Sequence, residues 1–404
     1  MTDMPVRPLR VLLVDHEPRL SGGAEQALAE LVATLDRERL EMHAAVVPGP
    51  LADALSAAGV TIHPLRMSTA LQRVSRWEIA RRPGVVIRNA VGYIGIAVRL
   101  GSLIRRVRPD VVHTNSMKAH ILASLPARLS RTPLVWHLRS ILPAGWLRRA
   151  FALSARVLAT RIVCISRAVA SAYFGGRDVP HVVVVYDGIP LTRFTRTDRD
   201  GWRRRLGAEG TDVVVGLVGE ISRWKGQDVF IEAAAMVVDR APAARFAIIG
   251  SCSFPEDEGE FDRMIHARAS QLGLDDRLTW TGWVEDIPGA MSAIDVLAHT
   301  SRMPEPFGRV LVEAMACGSP VVTTTIGAGP EIVPPDAGRI VPPGDSEALA
   351  TALVELISDE TLRKNMGERA RGAAESFGIE RHADRVLDVW SSVARTSLGR
   401  VARP

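Results

Sequence analysis

Short apolar runs alternate along the first half of the chain with longer segments whose apolar positions recur at helical spacing. LRVLLVDH at 9–16 predicts a strand that ends in polar residues, and EPRLSGGAEQALAELVATL predicts a Gly-Gly turn followed by a helix. The alternation continues through PDVVHTNS at 109–116 and closes with HVVVVYDGI at 181–189. Alternating strands and helices imply a parallel sheet covered by helices on both faces.

A second series of the same kind follows a linker-like stretch, PLTRFTRTDRDGW, at 190–202. The sequence therefore predicts an α/β protein of two Rossmann-like parallel-sheet domains that face each other across a cleft. We predict an N-terminal domain over 1–190 and a C-terminal domain over 200–377, with the last helix, 378–404, crossing back to the first domain. Ligands of such open sheets bind beyond the carboxyl ends of the strands.

One apolar segment, residues 84–104, approaches the length of a membrane span. Arg88, Asn89 and Arg99 interrupt it, and charges at those depths argue against a span, so we predict a core helix. The apolar run VLLV near the N-terminus has four residues, too few for a signal peptide. We expect a cytoplasmic protein, and a peripheral position at the inner face of the plasma membrane stays open.

Composition supports a folded globular protein rather than a disordered one, with 47% hydrophobic and 24% charged residues. At 404 residues the chain is long enough for two or three domains. Its three cysteines, Cys164, Cys252 and Cys317, are far apart and have neither a disulfide pattern nor metal-ligand spacing. Cys164 and Cys317 lie in apolar runs, so we predict that both are buried.

Charge is unevenly distributed between the two halves. Residues 1–190 hold 25 Lys and Arg against 13 Asp and Glu, a net of +12, whereas residues 191–404 hold 25 against 32, a net of −7. A basic half suggests an anionic partner, such as a phospholipid surface, a lipid diphosphate or nucleic acid. Solvated arginine faces are the alternative in a chain with 47 Arg and 3 Lys. We expect no nucleic-acid partner, because no basic motif with interleaved aromatic residues occurs.

The basic residues concentrate in 66–108, which contains ten arginines and one acidic residue, Glu78. Arginines beside aromatic and aliphatic residues are typical of a segment that lies at a membrane interface. Alternatively, those apolar residues pack into the domain core and the arginines are solvated. In that case the acceptor would be a soluble small molecule rather than a lipid-linked one. The residues that we assign to this possible interface are Arg66, Arg73, Arg76, Arg81, Arg82, Arg88, Trp77, Val85, Val86 and Ile87.

Three loops at predicted strand ends carry candidate chemistry. SGGAEQ at 21–26 places two glycines at a helix N-terminus, where free N–H groups attract an anion, although a tight turn would explain it nearly as well. Arg223 and Lys225 follow a strand and are placed to meet a phosphate. EPFGRVLVEAMACG at 305–318 puts Glu313 in an apolar helix, where a carboxylate needs hydrogen-bond partners.

A nucleoside diphosphate sugar would satisfy the last of these loops. Its diphosphate would cap a helix that starts near Phe307 or Gly308, its sugar hydroxyls would meet Glu305, and its ribose hydroxyls would meet Glu313. Full helical spacing would separate the two glutamates by roughly 12 Å.

The E-x7-E spacing, its context EPFGRVLVEAMACGSPVVTT, the motif WKGQD and the early SGGAEQ closely resemble glycosyltransferase family 4. The resemblance spans nearly the whole chain and implies the GT-B fold and retaining transfer from a nucleotide sugar. It implies that Lys225 neutralises the diphosphate, that Glu305 binds the donor sugar, and that Glu313 binds the ribose. Backbone amides implied to face sugar and diphosphate are those of Phe307, Gly308, Arg309 and Val310.

The same resemblance assigns residues of the N-terminal half. Gly22 and Gly23 would close on the donor phosphate, and His113 matches the active-site histidine of this domain; a capping residue at a strand end is the alternative. Asn115 and Lys118 would contact the acceptor. In the other half, GWVEDI at 282–287, with Val284 at its centre, resembles the loop that brackets the base.

One position departs from the family pattern. The family usually has an arginine after the glycine of the phosphate loop, and this chain has Glu220 there. A carboxylate cannot pair with a diphosphate, so either Arg223 takes that role or the donor is held more weakly. The implied catalytic residues are therefore His113, Lys225, Arg223 and Glu305.

The predicted reaction moves a hexosyl or N-acetylhexosaminyl group from a UDP-sugar, or less favourably a GDP-sugar, to a lipid-linked or small-molecule acceptor. We expect no cofactor and no metal ion, because the sequence has no DxD triplet and no grouped His and Asp ligands. Two alternatives remain open, a nucleotide-sugar 2-epimerase and a catalytically weak sugar-nucleotide-binding protein at a membrane surface. Catalytic carboxylates and histidines instead of an acceptor site would distinguish the epimerase.

Overall fold

The computed structural model describes residues 7–20, 22–68, 71–72, 90–176, 179–195, 198–253 and 255–401. The chain forms two compact units. The first unit is Met1–Gly188 with Ile379–Pro404, and the second unit is Ile189–Gly378. Of the arginines assigned to a membrane-interface segment, Arg73, Arg76, Arg81, Arg82 and Arg88 lie outside the described residues.

The first unit is a parallel sheet with helices between its strands. Its strands are β1 (Leu9–Val14), β2 (Leu40–Val46), β3 (Thr61–Pro64), β4 (Val111–Thr114), β5 (Leu134–Leu138), β6 (Arg161–Cys164) and β7 (Val182–Val184). Its helices before the second unit are α1 (Gly23–Thr34), α2 (Pro50–Ala57), α3 (Ala90–Val107), α4 (Met117–Leu129), α5 (Trp146–Leu158) and α6 (Arg167–Phe174).

Strands of the first unit follow the order β3-β2-β1-β4-β5-β6-β7, and the described pairs are parallel. The order reverses between β1 and β4, so the loops after these two strands meet at the switch point where parallel sheets bind ligands. β1 is a nearly continuous apolar run and β4 is buried at every position, because helices cover both faces of the sheet. Asp15 follows β1 directly, and Asn115 follows β4.

The second unit repeats this plan. Its strands are β8 (Val213–Val218), β9 (Ala244–Ile249), β10 (Leu278–Gly282), β11 (Val296–Ala298), β12 (Val321–Thr324) and β13 (Gly338–Val341). Its helices are α7 (Arg199–Arg205), α8 (Gln227–Val238), α9 (Pro255–Gln271), α10 (Ile287–Ala293), α11 (Arg309–Ala316), α12 (Gly329–Ile332), α13 (Ser346–Ser358) and α14 (Glu360–Ala374), with short 3-10 turns at Leu191–Arg193 and Glu375–Phe377. The parallel order β10-β9-β8-β11-β12-β13 puts the switch point between β8 and β11.

The last helix, α15 (Ile379–Val401), belongs to the first unit. It packs against α1 and β4, and Val386, Trp390 and Val393 are buried in the core that these elements share. The stretch predicted as a linker, 190–202, is partly helical, and Trp202 in the middle of α7 is only 5% exposed.

Residues 84–89 of the segment predicted as a core helix lie outside the described residues. Over the rest, helix α3 spans Ala90–Val107, and Ile96, Leu100 and Ile104 are buried, as predicted for a core helix. Val91, Ile94 and Val98 on its other side are exposed. Among the described residues, no helix has the length and apolar character needed to cross a membrane.

Candidate active site

Two loops of the second unit lie side by side at its switch point. The loop after β8 carries Lys225, and the loop after β11 carries His299, Ser301 and Glu305. The Thr300 hydroxyl joins the loops by donating to the backbone carbonyls of Lys225, at 2.8 Å, and of Gly226, at 2.9 Å. The two loops therefore hold a fixed position relative to each other.

Gly226 makes this approach possible. Its φ is +74°, and a Cβ atom built on it would lie 2.2 Å from the Thr300 carbonyl oxygen. Any other residue would push the two loops apart. The Lys-Gly pair in WKGQD thus places the Lys225 ammonium 4.1 Å from the centre of the Trp224 ring and beside the β11 loop.

Glu305 forms the centre of this site. Its Oε2 atom lies 2.7 Å from Lys225 Nζ, 3.3 Å from Ser301 Oγ and 3.4 Å from His299 Nε2. Burial alone would raise the pKa of Glu305, but the Lys225 ammonium and the His299 ring hold it well below its usual range. Glu305 is therefore ionised, and it is 8% exposed, so its charge is almost fully enclosed by protein.

Sequence reasoning did not single out His299 and Ser301. His299 Nδ1 lies 3.0 Å from Thr323 Oγ1 in β12, so its ring joins the β11 loop to the neighbouring strand. The signal that could have found both residues is the polar stretch HTS directly after the apolar strand β11, at the predicted ligand-binding edge.

Glu305 is extended rather than helical, which changes the spacing expected for the two glutamates. It bridges to Gly327, and its carbonyl oxygen accepts from Ala328 N at 2.9 Å. A Cβ atom on Gly327 would lie 2.3 Å from Glu305 N. Helix α11 begins at Arg309 after Gly308, whose φ is +87°, so only the second half of the interval is helical.

Glu313 has a protein partner that the sequence reading did not foresee. Arg309 Nε lies 3.8 Å from Glu313 Oε1 one helical turn earlier, and the two side chains are 9% and 7% exposed. The sequence analysis considered only a ligand as the partner of this carboxylate, but the i,i+4 spacing already brings an arginine to it. The ribose assignment itself stays a prediction.

We therefore expect Glu313→Ala to weaken nucleotide binding and also to lower the melting temperature. Loss of one partner from a buried ion pair typically costs about 3–5 kcal/mol, since the other charge stays buried. Calorimetric melting and nucleotide titration would measure the two effects. The double variant Arg309→Met with Glu313→Leu removes both charges and should recover most of the stability but not the affinity; recovery of both would remove Glu313 from the nucleotide site.

The other predicted donor-side residues are placed as follows. Arg223 Nε lies 4.0 Å from Glu258 Oε2, and its guanidinium lies 5.3 Å from the centre of the Phe261 ring, on α9. Its side chain is 57% exposed, and it contacts residues of α9 rather than Glu305. The carbonyl of Glu220 accepts from Gln227 Nε2 at 2.8 Å. A role for Arg223 in binding phosphate stays a prediction.

The remaining donor-side positions surround the start of α11 and the loop after β10. Phe307 is buried, and its ring centre lies 5.8 Å from that of Phe377. Val310 is half-buried in the first turn of α11, and Val284 is half-buried between β10 and α10.

In the first unit, Gly22 precedes α1 and Gly23 is its first residue. A Cβ atom on Gly22 would lie 2.2 Å from Glu25 Oε2, so the Glu25 carboxylate already lies against this turn. Burial, followed by the nearby Asp15 charge, raises the pKa of Glu25 to about 7. A phosphate at these amides would therefore meet a carboxyl group that is easily protonated.

His113 lies at the end of β4 and is fully buried. Its Nδ1 accepts from the Trp390 indole N–H at 3.0 Å, and because an indole N–H can only donate, the ring proton is on Nε2. Burial, with Arg139 next, lowers the pKa of His113 to about 3. His113 Nε2 has no hydrogen-bond partner among the described residues, which leaves a neutral N–H donor available.

The two predicted acceptor contacts are engaged within the protein. Asn115 Nδ2 donates to Asp15 Oδ2 at 2.9 Å, and Arg139 Nε donates to Asn115 Oδ1 at 2.5 Å. Arg139 in turn pairs with Asp187 at 2.5 Å, so a buried polar chain crosses the carboxyl edge of the sheet. Asn115 is 3% exposed, and its amide holds the Asp15 and Arg139 side chains in position.

Lys118 ties down a neighbouring segment. Its ammonium donates to the backbone carbonyls of Leu71, at 2.9 Å, and Gln72, at 2.5 Å. Burial lowers the pKa of Lys118 to about 8. Its assignment to the acceptor stays a prediction, and contact with an acceptor would require release of these carbonyls. In the part of the chain that the structure describes, no three His, Cys, Asp or Glu side chains are grouped to hold a metal ion.

Two named proteins are each similar to this chain over about half of its length. A D-inositol 3-phosphate glycosyltransferase of Rhodococcus opacus is 34% identical over 222 residues, 53% of this chain and 49% of that protein. A GDP-mannose-dependent monoacylated alpha-(1-6)-phosphatidylinositol monomannoside mannosyltransferase of Corynebacterium glutamicum is 28% identical over 218 residues, 52% of this chain and 55% of that protein. The chain thus spans about half the length of these relatives.

Likeness to a solved structure extends over nearly the whole chain. Anabaena Alr3699/HepE, whose crystal structures contain UDP, UDP with glucose, or UDP-glucose, superposes with a TM-score of 0.80 at 25% identity. The match covers 95% of this chain and 100% of that one.

Two family models match successive parts of the sequence. The model described as Glycosyltransferase Family 4 matches residues 21–193, and the model described as Glycosyl transferases group 1 matches residues 198–373. Each match falls almost entirely within one parallel-sheet unit. The chain has the GT-B fold, and with these two matches it belongs to glycosyltransferase family 4.

Proposed function

We propose that this chain transfers a hexosyl or N-acetylhexosaminyl group from a UDP-sugar to a hydroxyl group of a lipid-linked or small-molecule acceptor, with retention at the anomeric carbon. The observation that carries this proposal is the Lys225–Glu305 ion pair at the switch point of the second unit. It combines a cation for a diphosphate and an ionised carboxylate for sugar hydroxyls in adjacent loops.

In this reaction the acceptor oxygen bonds to the anomeric carbon as the bond from that carbon to the diphosphate oxygen breaks. The nucleoside diphosphate leaves with the bonding electron pair, and its oxygen takes the proton of the acceptor hydroxyl. Lys225 stabilises the charge that grows on the diphosphate, and the positive N-terminal end of the α11 dipole adds to this. Glu305 orients the sugar through its hydroxyl groups.

His113 serves as a neutral hydrogen-bond donor to a sugar oxygen rather than as a general base. A pKa of about 3 means that the ring stays neutral throughout the physiological range. Because Trp390 fixes the tautomer, the Nε2–H is set in place before substrate binds. This arrangement needs no proton transfer by His113 in the reaction.

Names of similar proteins support the proposed substrates. The Anabaena structures contain UDP and UDP-glucose, which favours a uridine nucleotide. The Rhodococcus relative is named for D-inositol 3-phosphate and the Corynebacterium relative for a monoacylated phosphatidylinositol monomannoside. An acceptor that is a phosphorylated polyol, free or linked to lipid, is consistent with both names and with the basic first half.

A donor screen tests the proposal. UDP-sugars should raise the melting temperature more than GDP-sugars, and the stabilising sugar should be transferred to a polyol phosphate acceptor with the anomeric configuration retained, as measured by proton NMR of the product. Epimerised nucleotide sugar without acceptor product would favour the epimerase instead. Binding without transfer or donor hydrolysis would leave only a sugar-nucleotide-binding protein.

We also expect transfer to continue after metal removal. The proposal assigns the leaving-group charge to Lys225 and to the α11 N-terminus, so a divalent ion has no required role. The rate with EDTA should equal the rate without it. A rate that falls with EDTA and returns with Mg²⁺ or Mn²⁺ would contradict this part of the mechanism.

A further inference from the structure

Three neighbouring helices of the first unit have apolar side chains on the surface. Helix α3 packs against α4, and α4 contacts α5. Each helix exposes three large apolar residues, all at least half exposed to solvent. They are Val91, Ile94 and Val98 on α3, Ile121, Leu125 and Leu129 on α4, and Trp146, Leu153 and Val157 on α5.

Their spacing shows that each set forms a stripe along one side of its helix. The intervals between neighbouring members are three and four residues on α3, four and four on α4, and seven and four on α5, as expected for residues on one side of a helix. Among the described residues, every exposed large apolar side chain of the first unit lies on these helices. Exposed apolar side chains concentrated on neighbouring helices in this way mark an interaction site.

Charge on the same helices is almost entirely positive. Residues 90–174 contain twelve arginines and one lysine against a single acidic residue, Asp110. Asp110 is paired with Arg7 at 2.6 Å. Exposed arginines extend each apolar stripe at helical spacing: Arg105 on α3, Arg128 on α4 and Arg149 on α5. We call this surface, with its nine apolar residues and three arginines, the apolar–arginine face.

We propose that the apolar–arginine face docks onto an anionic lipid surface. Apolar side chains at the level of the acyl boundary and cations at the level of the headgroups are what binding to such a surface requires. A second copy docking through the same face fits less well, because it would bring six face arginines together, and Asp110, the single acidic residue of 90–174, is already paired with Arg7 in each copy. The positive charge of the face therefore favours an anionic lipid surface over a second copy of the chain.

This inference rests on the proposed function and narrows its acceptor class. Helix α4, which carries the middle stripe, begins at Met117, two residues after Asn115, and includes Lys118 in its first turn. The predicted acceptor loop is thus continuous with a helix of the docking face. An acceptor anchored in the same lipid surface would be held near that loop, so the proposal selects the lipid-linked acceptor over the soluble one.

Vesicle flotation of the full chain tests the docking face. The protein should bind vesicles of phosphatidylglycerol and phosphatidylcholine at about 0.01 M salt, and binding should weaken at about 1 M salt, where charges are screened within about 3 Å. The variant Arg105→Gln, Arg128→Gln, Arg149→Gln should bind about a hundredfold more weakly at low salt. The variant Ile94→Gln, Leu125→Gln, Leu153→Gln should lose binding at both salt concentrations.

Matched controls come from the second unit. Arg204→Gln, Arg240→Gln, Arg369→Gln and, separately, Met236→Gln, Met264→Gln, Ile340→Gln change exposed residues of the same types and should bind like the parent protein. Stabilisation by UDP without vesicles should be the same in all four variants, which shows that each is folded. The docking face is refuted if the parent binds no anionic vesicles, or if the control variants lose as much binding.

Two further outcomes separate this proposal from the proposed function. A protein that sediments as a dimer, and becomes a monomer in the apolar variant without binding vesicles, would make the face an interface between copies and overturn lipid docking. Vesicle binding without sugar transfer to any acceptor would contradict the proposed function and leave the docking face in place.

Discussion

Lys225→Ala should lower kcat for sugar transfer by a factor on the order of 10²–10³. The ammonium is preorganised beside Glu305 and is the charge that the proposal places at the leaving diphosphate. The variant should also bind UDP more weakly, because diphosphate charge is present before and after transfer. Steady-state kinetics with the stabilising UDP-sugar and calorimetric titration with UDP would measure both effects.

The chain offers a matched control for this variant. Lys364 is 72% exposed in the second unit and forms a surface pair with Glu360, so Lys364→Ala should change neither kcat nor UDP affinity. Lys225→Ala also leaves Glu305 buried without its cation, and a lower melting temperature is expected. Near-normal turnover in folded Lys225→Ala protein would show that the diphosphate is neutralised elsewhere, with Arg223 as the first candidate.

Glu305→Gln should reduce transfer to a similar extent while UDP binding stays equal or becomes tighter. Glutamine keeps nearly the same shape but lacks the charge that holds Lys225, so the ammonium no longer divides its interaction between carboxylate and diphosphate. The sugar loses an ionised hydrogen-bond acceptor, and such charge-assisted bonds are roughly twice as strong as neutral ones. The comparison of UDP with UDP-sugar affinity isolates this effect.

Glu355→Gln is the control for Glu305→Gln, because Glu355 is a half-exposed glutamate of the second unit that pairs with Arg339. It should leave transfer and both affinities unchanged. If Glu305→Gln weakened UDP binding as strongly as Lys225→Ala does, the carboxylate would act through the nucleotide, and its assignment to the sugar would be wrong. UDP affinity is thus expected to fall in Lys225→Ala and not in Glu305→Gln.

The local pattern of apolar and polar residues was sufficient to predict the two parallel sheets and to select the donor-side loops. Apolar strands in alternation with amphipathic helices predicted two parallel-sheet units, and both sheets are observed. Lys225 and Glu305 could be selected because each follows a buried strand, and such strands end at one edge of the sheet. The motif WKGQD has a glycine at position 226 for a steric reason, because the Thr300 backbone approaches it too closely for any side chain.

Contacts between distant residues could not be predicted in the same way. The His113–Trp390 hydrogen bond joins residues 277 positions apart, and no sequence period links them. Even the nearby Arg309–Glu313 pair was missed, because Arg309 was considered only for its backbone amide. The apolar content of α3 was correctly noticed, but composition alone does not say which side of a helix faces the solvent.

The discontinuity of the first unit has a consequence for biosynthesis. Trp390 and its neighbours on α15 fill the core between α1 and β4, but the ribosome makes them only after the whole second unit. At roughly 5–20 residues per second, about 10–40 s pass between the synthesis of Gly188 and that of Trp390. During that interval all seven strands of the first sheet have been made, but helix α15, which completes its core, has not. The nascent chain should therefore finish its second unit before its first, and chaperones would be needed most for the strands made earliest.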